Sequence, residues 1–302
     1  ICALIFLASC TEIDGAPERE SPIEVIGRLE YKSLNEASGL ARSGRDEALL
    51  WTINDDGPSV IYGIGLDGSK RGKIELRKAA NRDWEDLAAF ELDGQPYLLV
   101  ADIGDNDGRR KDVTIYVIEE PDPDDDKVDV AWEFDFTYPE GPRDAESIAV
   151  DMGRERIFVL TKRDIPARLY ALPLRPETSA KRIIADYLGP AESLPRPYRS
   201  DVTTARMTDD WFWQPTSLSV AADNRSAVIL TYGALYYFRR EADEEWEYAF
   251  RRPPQGLSLG RLRGAESITL GPTGDYAYVT TEGRRAPILR IDLRGINADD
   301  ES

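Results

Sequence analysis

A chain of 302 residues with 41% hydrophobic content can build a substantial core, so its 31% charged residues do not imply disorder. A formal net charge of −18 sets it against nucleic acid and anionic membrane surfaces, and favours cations or basic ligands. There is no histidine, and the two cysteines, Cys2 and Cys10, both precede the body of the chain; His-assisted nucleophiles, His-bound metals, thiol catalysis and internal disulfides are therefore excluded there.

The first ten residues are apolar up to Cys10, and the residues after it are polar. Ten residues are too few to span a bilayer, which takes about 20. Leu7-Ala8-Ser9-Cys10 resembles a bacterial lipobox. It predicts a signal segment over 1–10, lipidation of Cys10, a flexible tether over 11–21, and a protein exported and lipid-anchored at the cell envelope, at the outer membrane facing the periplasm.

The rest of the chain repeats one short phrase: Ser38-Gly39-Leu40-Ala41, Glu85-Asp86-Leu87-Ala88, Glu146-Ser147-Ile148-Ala149, Thr216-Ser217-Leu218-Ser219 and Glu266-Ser267-Ile268-Thr269. The copies start roughly 45 to 70 residues apart, and β-forming runs follow each, a period that points to propeller blades. In the first blade these runs are Leu49–Ile53, Val60–Ile64 and Lys73–Leu76, separated by turns such as Asp67-Gly68. The second begins at Trp84 and continues through Tyr97–Ala101, Val113–Ile118 and Val128–Phe136. The third, from Ala145, has Ile157–Thr161 and Leu169–Leu172, then a long stretch from Pro190 to Gln214 without a strand pattern. The fourth has Ala227–Thr231 and Leu235–Phe238, and the fifth Tyr276–Thr280 and Ile288–Ile291.

Only three strands fit in the last blade before the polar tail 297–302, so Ile23–Leu29 is expected to supply its fourth. The expectation is an all-β, five-bladed propeller of four-stranded blades over 22–296, closed by its N-terminal strand; six blades fit if the long third repeat hides one.

Each phrase begins the innermost strand of its blade, so Ser38, Glu85, Glu146, Thr216 and Glu266 are expected to ring one mouth of the axial channel. Loops carrying Asn54-Asp55-Asp56, Asp102 to Asn106, Lys162-Arg163 and Thr281-Glu282 open on the same face. Converging carboxylates repel one another and need compensation. Calcium matches an all-oxygen donor set, with Glu85, Glu146 and Glu266 as ligands and Asp55 or Asp105 completing the shell. The alternative is that each Glu is a peg hydrogen-bonded to the next blade. Asn54, Asp56, Asp102 and Glu282 are candidate ligand contacts, as are the aromatic Trp211 and Trp213 before the fourth blade; Lys162, Arg163 and Arg168 could hold an anion. Asp122 to Glu133 has EF-hand-like acidic spacing, but Lys127 stands where that loop needs Gly, so it reads as a solvated loop.

Ser38-Gly39-Leu40, Thr52 to Gly57, Asp83-Trp84-Glu85-Asp86-Leu87 and Asp144-Ala145-Glu146-Ser147-Ile148 resemble the repeats of bacterial extracytoplasmic β-propellers of the SdiA-regulated and phytase-like kinds. The likeness covers most of 36–293. It implies calcium binding by Glu85, Glu146 and Glu266 and, in some members, phosphoester hydrolysis. Two functions follow as expectations: a binding protein that takes a ligand or protein partner at the envelope, or a metal-dependent phosphoester or ester hydrolase on the same carboxylates. A scaffold with a filled channel is a third.

Overall fold

The computed structural model describes residues 21–177, 182–195, 212–260, 262 and 264–297. The expectations for the signal segment, Cys10, the tether before Ser21, Trp211 and the tail beyond Asn297 lie outside these residues.

Strand β1 (Ile23–Arg28) comes first and stands apart from its chain neighbours. The first blade is β2 (Ala37–Arg42), β3 (Leu49–Asn54), β4 (Val60–Gly65) and β5 (Lys70–Arg77). The second is β6 (Trp84–Leu92), β7 (Gln95–Asp102), β8 (Val113–Glu119) and β9 (Lys127–Thr137). The third has β10 (Ala145–Asp151), β11 (Arg156–Thr161) and β12 (Arg168–Pro173); after the short β13 (Ile183–Ile184), which pairs with β9, it is completed by β14 (Asp186–Pro190). The fourth is β15 (Pro215–Val220), β16 (Ser226–Thr231) and β17 (Ala234–Arg239), then a one-turn helix α1 (Trp246–Ala249) and the outer β18 (Gln255–Ser258). The fifth is β19 (Ala265–Leu270), β20 (Tyr276–Thr281) and β21 (Pro287–Asp292), followed by the short α2 (Arg294–Asn297).

β1 pairs antiparallel with β21, Ile23 opposite Ile291, and so becomes the fourth strand of the fifth blade. The innermost strands β2, β6, β10, β15 and β19 contact one another in that order, and β19 returns to β2. Five four-stranded blades thus form a closed ring: the fold is an all-β propeller, and the six-bladed alternative finds no sixth sheet among the described residues.

Burial follows the layering. β3 is buried at every position, because each face of an inner strand meets a neighbouring blade. β5, on the rim, alternates, with Gly72, Ile74 and Leu76 inward and charged residues outward. Each interface between adjacent blades holds its own apolar cluster: Trp51, Trp84 and Tyr116 join blades one and two; Tyr138, Ile148 and Tyr170 serve two and three; Phe158, Trp246 and Phe250 three and four. Leu235 and Val279 lie between four and five, and Leu40 and Ile288 close the ring.

Rim strands are also joined between blades. β5 pairs parallel with β9, with ion pairs Lys127–Glu75 at 2.9 Å and Arg77–Asp129 alongside. Pairing of this kind leaves fewer open edges for association with another chain. The sequence pattern missed β14 and β18. The first ends in Gly189-Pro190 and is half exposed, and the second has a single large apolar residue, Leu257, so neither shows alternation.

Candidate metal centre at the channel mouth

Every inner strand begins with a register shift against its neighbour, between Trp84 and Asp86, Ala145 and Ser147, Pro215 and Ser217, and Ala265 and Ser267. The extra residues are Glu85, Glu146, Thr216 and Glu266. In the first blade the shift falls one residue later, at Gly39, whose φ is +65°. A side chain placed on Gly39 would collide with the backbone of Leu87, 2.5 Å away, so this copy of the phrase requires glycine. A bulge bends its strand and redirects a side chain. Here it is repeated round the ring, and all five first residues of the phrase are buried.

Two of those five bond the next blade. The Ser38 hydroxyl donates to the Glu85 carbonyl, and the Thr216 hydroxyl donates to the Ala265 carbonyl at 2.9 Å. The three glutamates do not share this arrangement. One oxygen each of Glu85, Asp144 and Glu146 lie within 4.8 Å of one another, and all three residues are buried. Asp144 stands just before β10 and Glu146 is its bulged residue, and their carboxylates come together at the mouth. Lys162, on the loop after β11, donates to Glu146 Oε1 and stands 5.2 Å from the centre of the Tyr232 ring. The Tyr232 hydroxyl hydrogen-bonds Glu266. Glu146 Oε2 is buried with no hydrogen-bond partner.

Burial, and then the charge of Glu146, pushes the Glu85 carboxyl well above the usual carboxylate range; the same two causes act on Glu266. Burial raises Glu146 to about 7, against the attraction of the Lys162 ammonium. Asp83 is raised by burial and by the charge of Asp144, and it hydrogen-bonds Glu85. Burial lowers Lys162, but Glu146, Glu266 and Glu85 together outweigh it and hold the lysine charged. Gly104 lets its loop close over the cluster: a Cβ there would sit 2.3 Å from Glu85 Oε1.

The other candidates fall into three groups. Asp55 joins Glu36 and Asp56 in a second, shallower carboxylate cluster, their oxygens within 4.8 Å. Burial, opposed by its bond from the Asp56 N–H, raises Asp55 to about 6. Glu282 is exposed, and its charge acts on both Asp55 and Glu266. A second group is spent on local structure. Asp105 does not join the glutamates; it accepts the backbone N–H groups of Arg109 at 2.8 Å and Arg110 at 2.9 Å. Asp102 pairs with Arg110 at 2.7 Å, and Asn54 bonds Ser33 and Glu36. Arg163 holds Asp144 at 2.5 Å and also reaches Asn106. Arg168 pairs with Glu140 and Asp164, away from the glutamates. In the third group, Trp213 is half-buried and precedes β15, next to Phe212, which packs on Gly233 beside Tyr232. The acidic stretch at Asp122 is an exposed turn closed by its own side chains, as expected.

Asp83, Asp144 and Tyr232 were not among the sequence candidates. Asp83 and Asp144 stand two residues before the ring glutamates. Tyr232 occupies the place of Lys162 one blade on, since Ala145 pairs with Thr161 and Pro215 with Thr231.

Below the glutamates the channel is plugged. Asp86 has no exposed surface and accepts the Ile148 N–H at 2.9 Å, the Leu218 N–H at 3.4 Å and the Ser217 hydroxyl at 3.1 Å. The Ser217 oxygen in turn accepts the Ile268 N–H at 3.3 Å, so the second residues of the phrase link four of the blades across the axis.

No family model matches the sequence, so the SdiA-regulated and phytase-like resemblance has no such support, and no curated protein matches it. Solved structures that resemble the chain are propellers. A gluconolactonase from Xanthomonas campestris is 10% identical with a TM-score of 0.49, over 89% of each chain. A putative 6-phosphogluconolactonase from Bacteroides uniformis is 12% identical with a TM-score of 0.38, over 84% of this chain and 66% of the other. The RRP9 WD40 repeats are 15% identical with a TM-score of 0.40, over 85% and 67%.

Proposed function

We propose that the protein binds a divalent cation, calcium by the chemistry of the donors, on Glu85, Asp144 and Glu146 with Glu266 beside them, and that the charged mouth so formed engages a ligand or protein partner at the cell envelope. The observation that carries this is the unpartnered, buried Oε2 of Glu146 within a cluster of carboxylate oxygens. Four carboxylates face two cationic side chains, Lys162 and Arg163, so negative charge is left over for protons or a metal to balance. Carboxylate oxygen without nitrogen or sulfur suits calcium better than zinc or copper. The lipobox-like Leu7–Cys10 supports anchoring at the envelope, and the net charge disfavours nucleic acid.

The test is a calorimetric calcium titration of the full chain after metal stripping, beside a Glu146→Gln/Glu266→Gln double variant. The wild type is expected to bind with Kd below about 1 mM and the variant at least tenfold more weakly. Equal titration curves, or a wild type that takes up no calcium, would overturn the site.

A second reading rests on Glu146 itself. A carboxyl raised to about 7 beside Lys162 and Tyr232 has the protonation range of a general base, and a bound metal would supply Lewis acidity for ester, lactone or phosphoester hydrolysis. Calcium-dependent turnover of such substrates, abolished by Glu146→Gln, would favour it over simple binding.

A further inference from the structure

The propeller axis has a second end. Beyond the plug at Asp86 the inner strands finish round a cavity of about 670 Å³, which shares no residue with the carboxylate cluster. Its origin is in the repeat: the fourth residue of the phrase is always small, and Ala88, Ala149, Ser219 and Thr269 line the walls. Small side chains at one level of a ring cannot fill its centre; Leu40, Leu87 and Leu218 one level deeper form an apolar floor, and polar groups such as Ser43, Arg45 and Asn224 line the rest. The volume falls within the range of small-molecule sites, which are mostly apolar with a few fixed polar groups.

Among the charged residues of the lining, Arg42 at the end of β2 is the one set against an aromatic ring. Arg42 is half-buried, and its Nε is fully buried without a hydrogen-bond partner. Its guanidinium carbon lies 6.0 Å from the centre of the Tyr276 ring, and Arg290 stands 4.9 Å from the centre of the same ring. No carboxylate reaches Arg42 within ion-pair distance among the described residues. The carboxylates of the lining are otherwise placed: Asp46 pairs with Arg71 at 3.2 Å, and Glu120 accepts the Gly44 N–H at 2.9 Å and the Trp51 indole N–H at 2.8 Å. Glu47 and Glu91 are exposed, where water and salt screen them. A planar cation beside an aromatic ring, without an ion-pair partner at the edge of a cavity of mixed polarity, matches a carboxylate.

We propose that this cavity binds a small organic carboxylate, its anionic head on Arg42 and its apolar body against Leu40, Leu87 and Leu218. The site stands independently of the calcium reading.

The experiment titrates the full chain with octanoate and with octanamide, its neutral counterpart. Octanoate is expected to bind at least about tenfold more tightly than octanamide, as the loss of a charge-assisted bond predicts. Arg42→Gln should erase that preference, and Ala88→Leu should weaken both ligands by filling the cavity. Unequal phenylglyoxal labelling of Arg42 in the folded wild type provides a check that needs no variant: octanoate should slow it at least threefold and octanamide should not. No octanoate binding at millimolar concentration, equal affinity for the two ligands, a preference that survives Arg42→Gln, or labelling that octanoate leaves unchanged would each overturn the proposal.

Discussion

Asp86 has no exposed surface, and its bonds tie the second blade to the third and the fourth. Its removal would strand the Ile148 and Leu218 N–H groups in the interior. Unsatisfied buried donors cost about 1–3 kcal/mol each. Asp86→Ala is therefore expected to lower stability by about 3 kcal/mol, and Asp86→Asn by distinctly less, since burial holds the native carboxyl well above its usual range and favours its neutral form. Urea titration separates the two. Lys162 makes the opposite kind of prediction. Its ammonium occupies Glu146 Oε1, so it competes with a metal for that oxygen. Lys162→Met should tighten calcium binding by about tenfold if the lysine is only a resident counter-charge; weaker binding would mean that it positions the carboxylate. The three glutamates were legible in the sequence because they recur at one place in a repeat. Asp144 and Tyr232 were not, because each gains its role from a neighbour in space: Asp144 by the bulge that brings the Glu146 carboxylate to it, Tyr232 by standing one blade away from Lys162.

At the scale of the strand, the repeated bulge lets one phrase serve several purposes. The same backbone irregularity presents serine or threonine as a bond to the next blade and glutamate as part of a charged cluster. A permissive phrase is thus strong information about architecture and weak information about chemistry. Inner strands were readable because burial on both faces demands continuous apolar runs, as in β3 and β16. Rim strands were harder, since β14 and β18 touch the rest of the molecule on one side and tolerate glycine, proline and polar residues. β1 was read correctly for a different reason: the last blade lacked a strand. Its pairing is testable by Glu24→Pro, which removes the N–H facing Arg290 at the centre of the β1–β21 pair or forces the strand from it. A loss of about 3 kcal/mol is expected in thermal or urea unfolding, with little change for the same substitution at Glu47, an exposed residue outside any strand.

For the molecule as a whole, charge is the property most open to measurement. Glu85, Glu146, Glu266, Asp86 and Asp55 all have carboxyls raised above their unfolded values, chiefly by burial. A raised carboxyl favours the folded state at low pH, and that contribution is lost as pH climbs through the folded value, about 6 for Asp55 and about 7 for Glu146. The metal-free protein should thus lose about 5 °C or more in Tm between pH 4.5 and 8 on the order expected for such shifts, and calcium should restore most of it at the upper end. Scanning calorimetry with and without calcium checks this; a Tm that stays level with pH in the metal-free protein would contradict the buried, unbalanced cluster.

The pairing of β1 with β21 brings together parts of the chain 257 residues apart, as in the contact of Arg28 with Arg285. Until the last strand is in place the first has nothing to pair with, so the ring stays open through most of folding. Joining ends so far apart costs about 5 kcal/mol of chain entropy by the usual logarithmic rule, and distant contacts of this sort slow folding. The Asp292 N–H already donates to the Pro22 carbonyl at 2.8 Å, so the two strands could be connected by a tight hairpin. A circular permutant linked there and opened at the exposed Lys32–Ser33 would make the fifth blade continuous, and it should refold faster than the natural order while melting at a similar temperature.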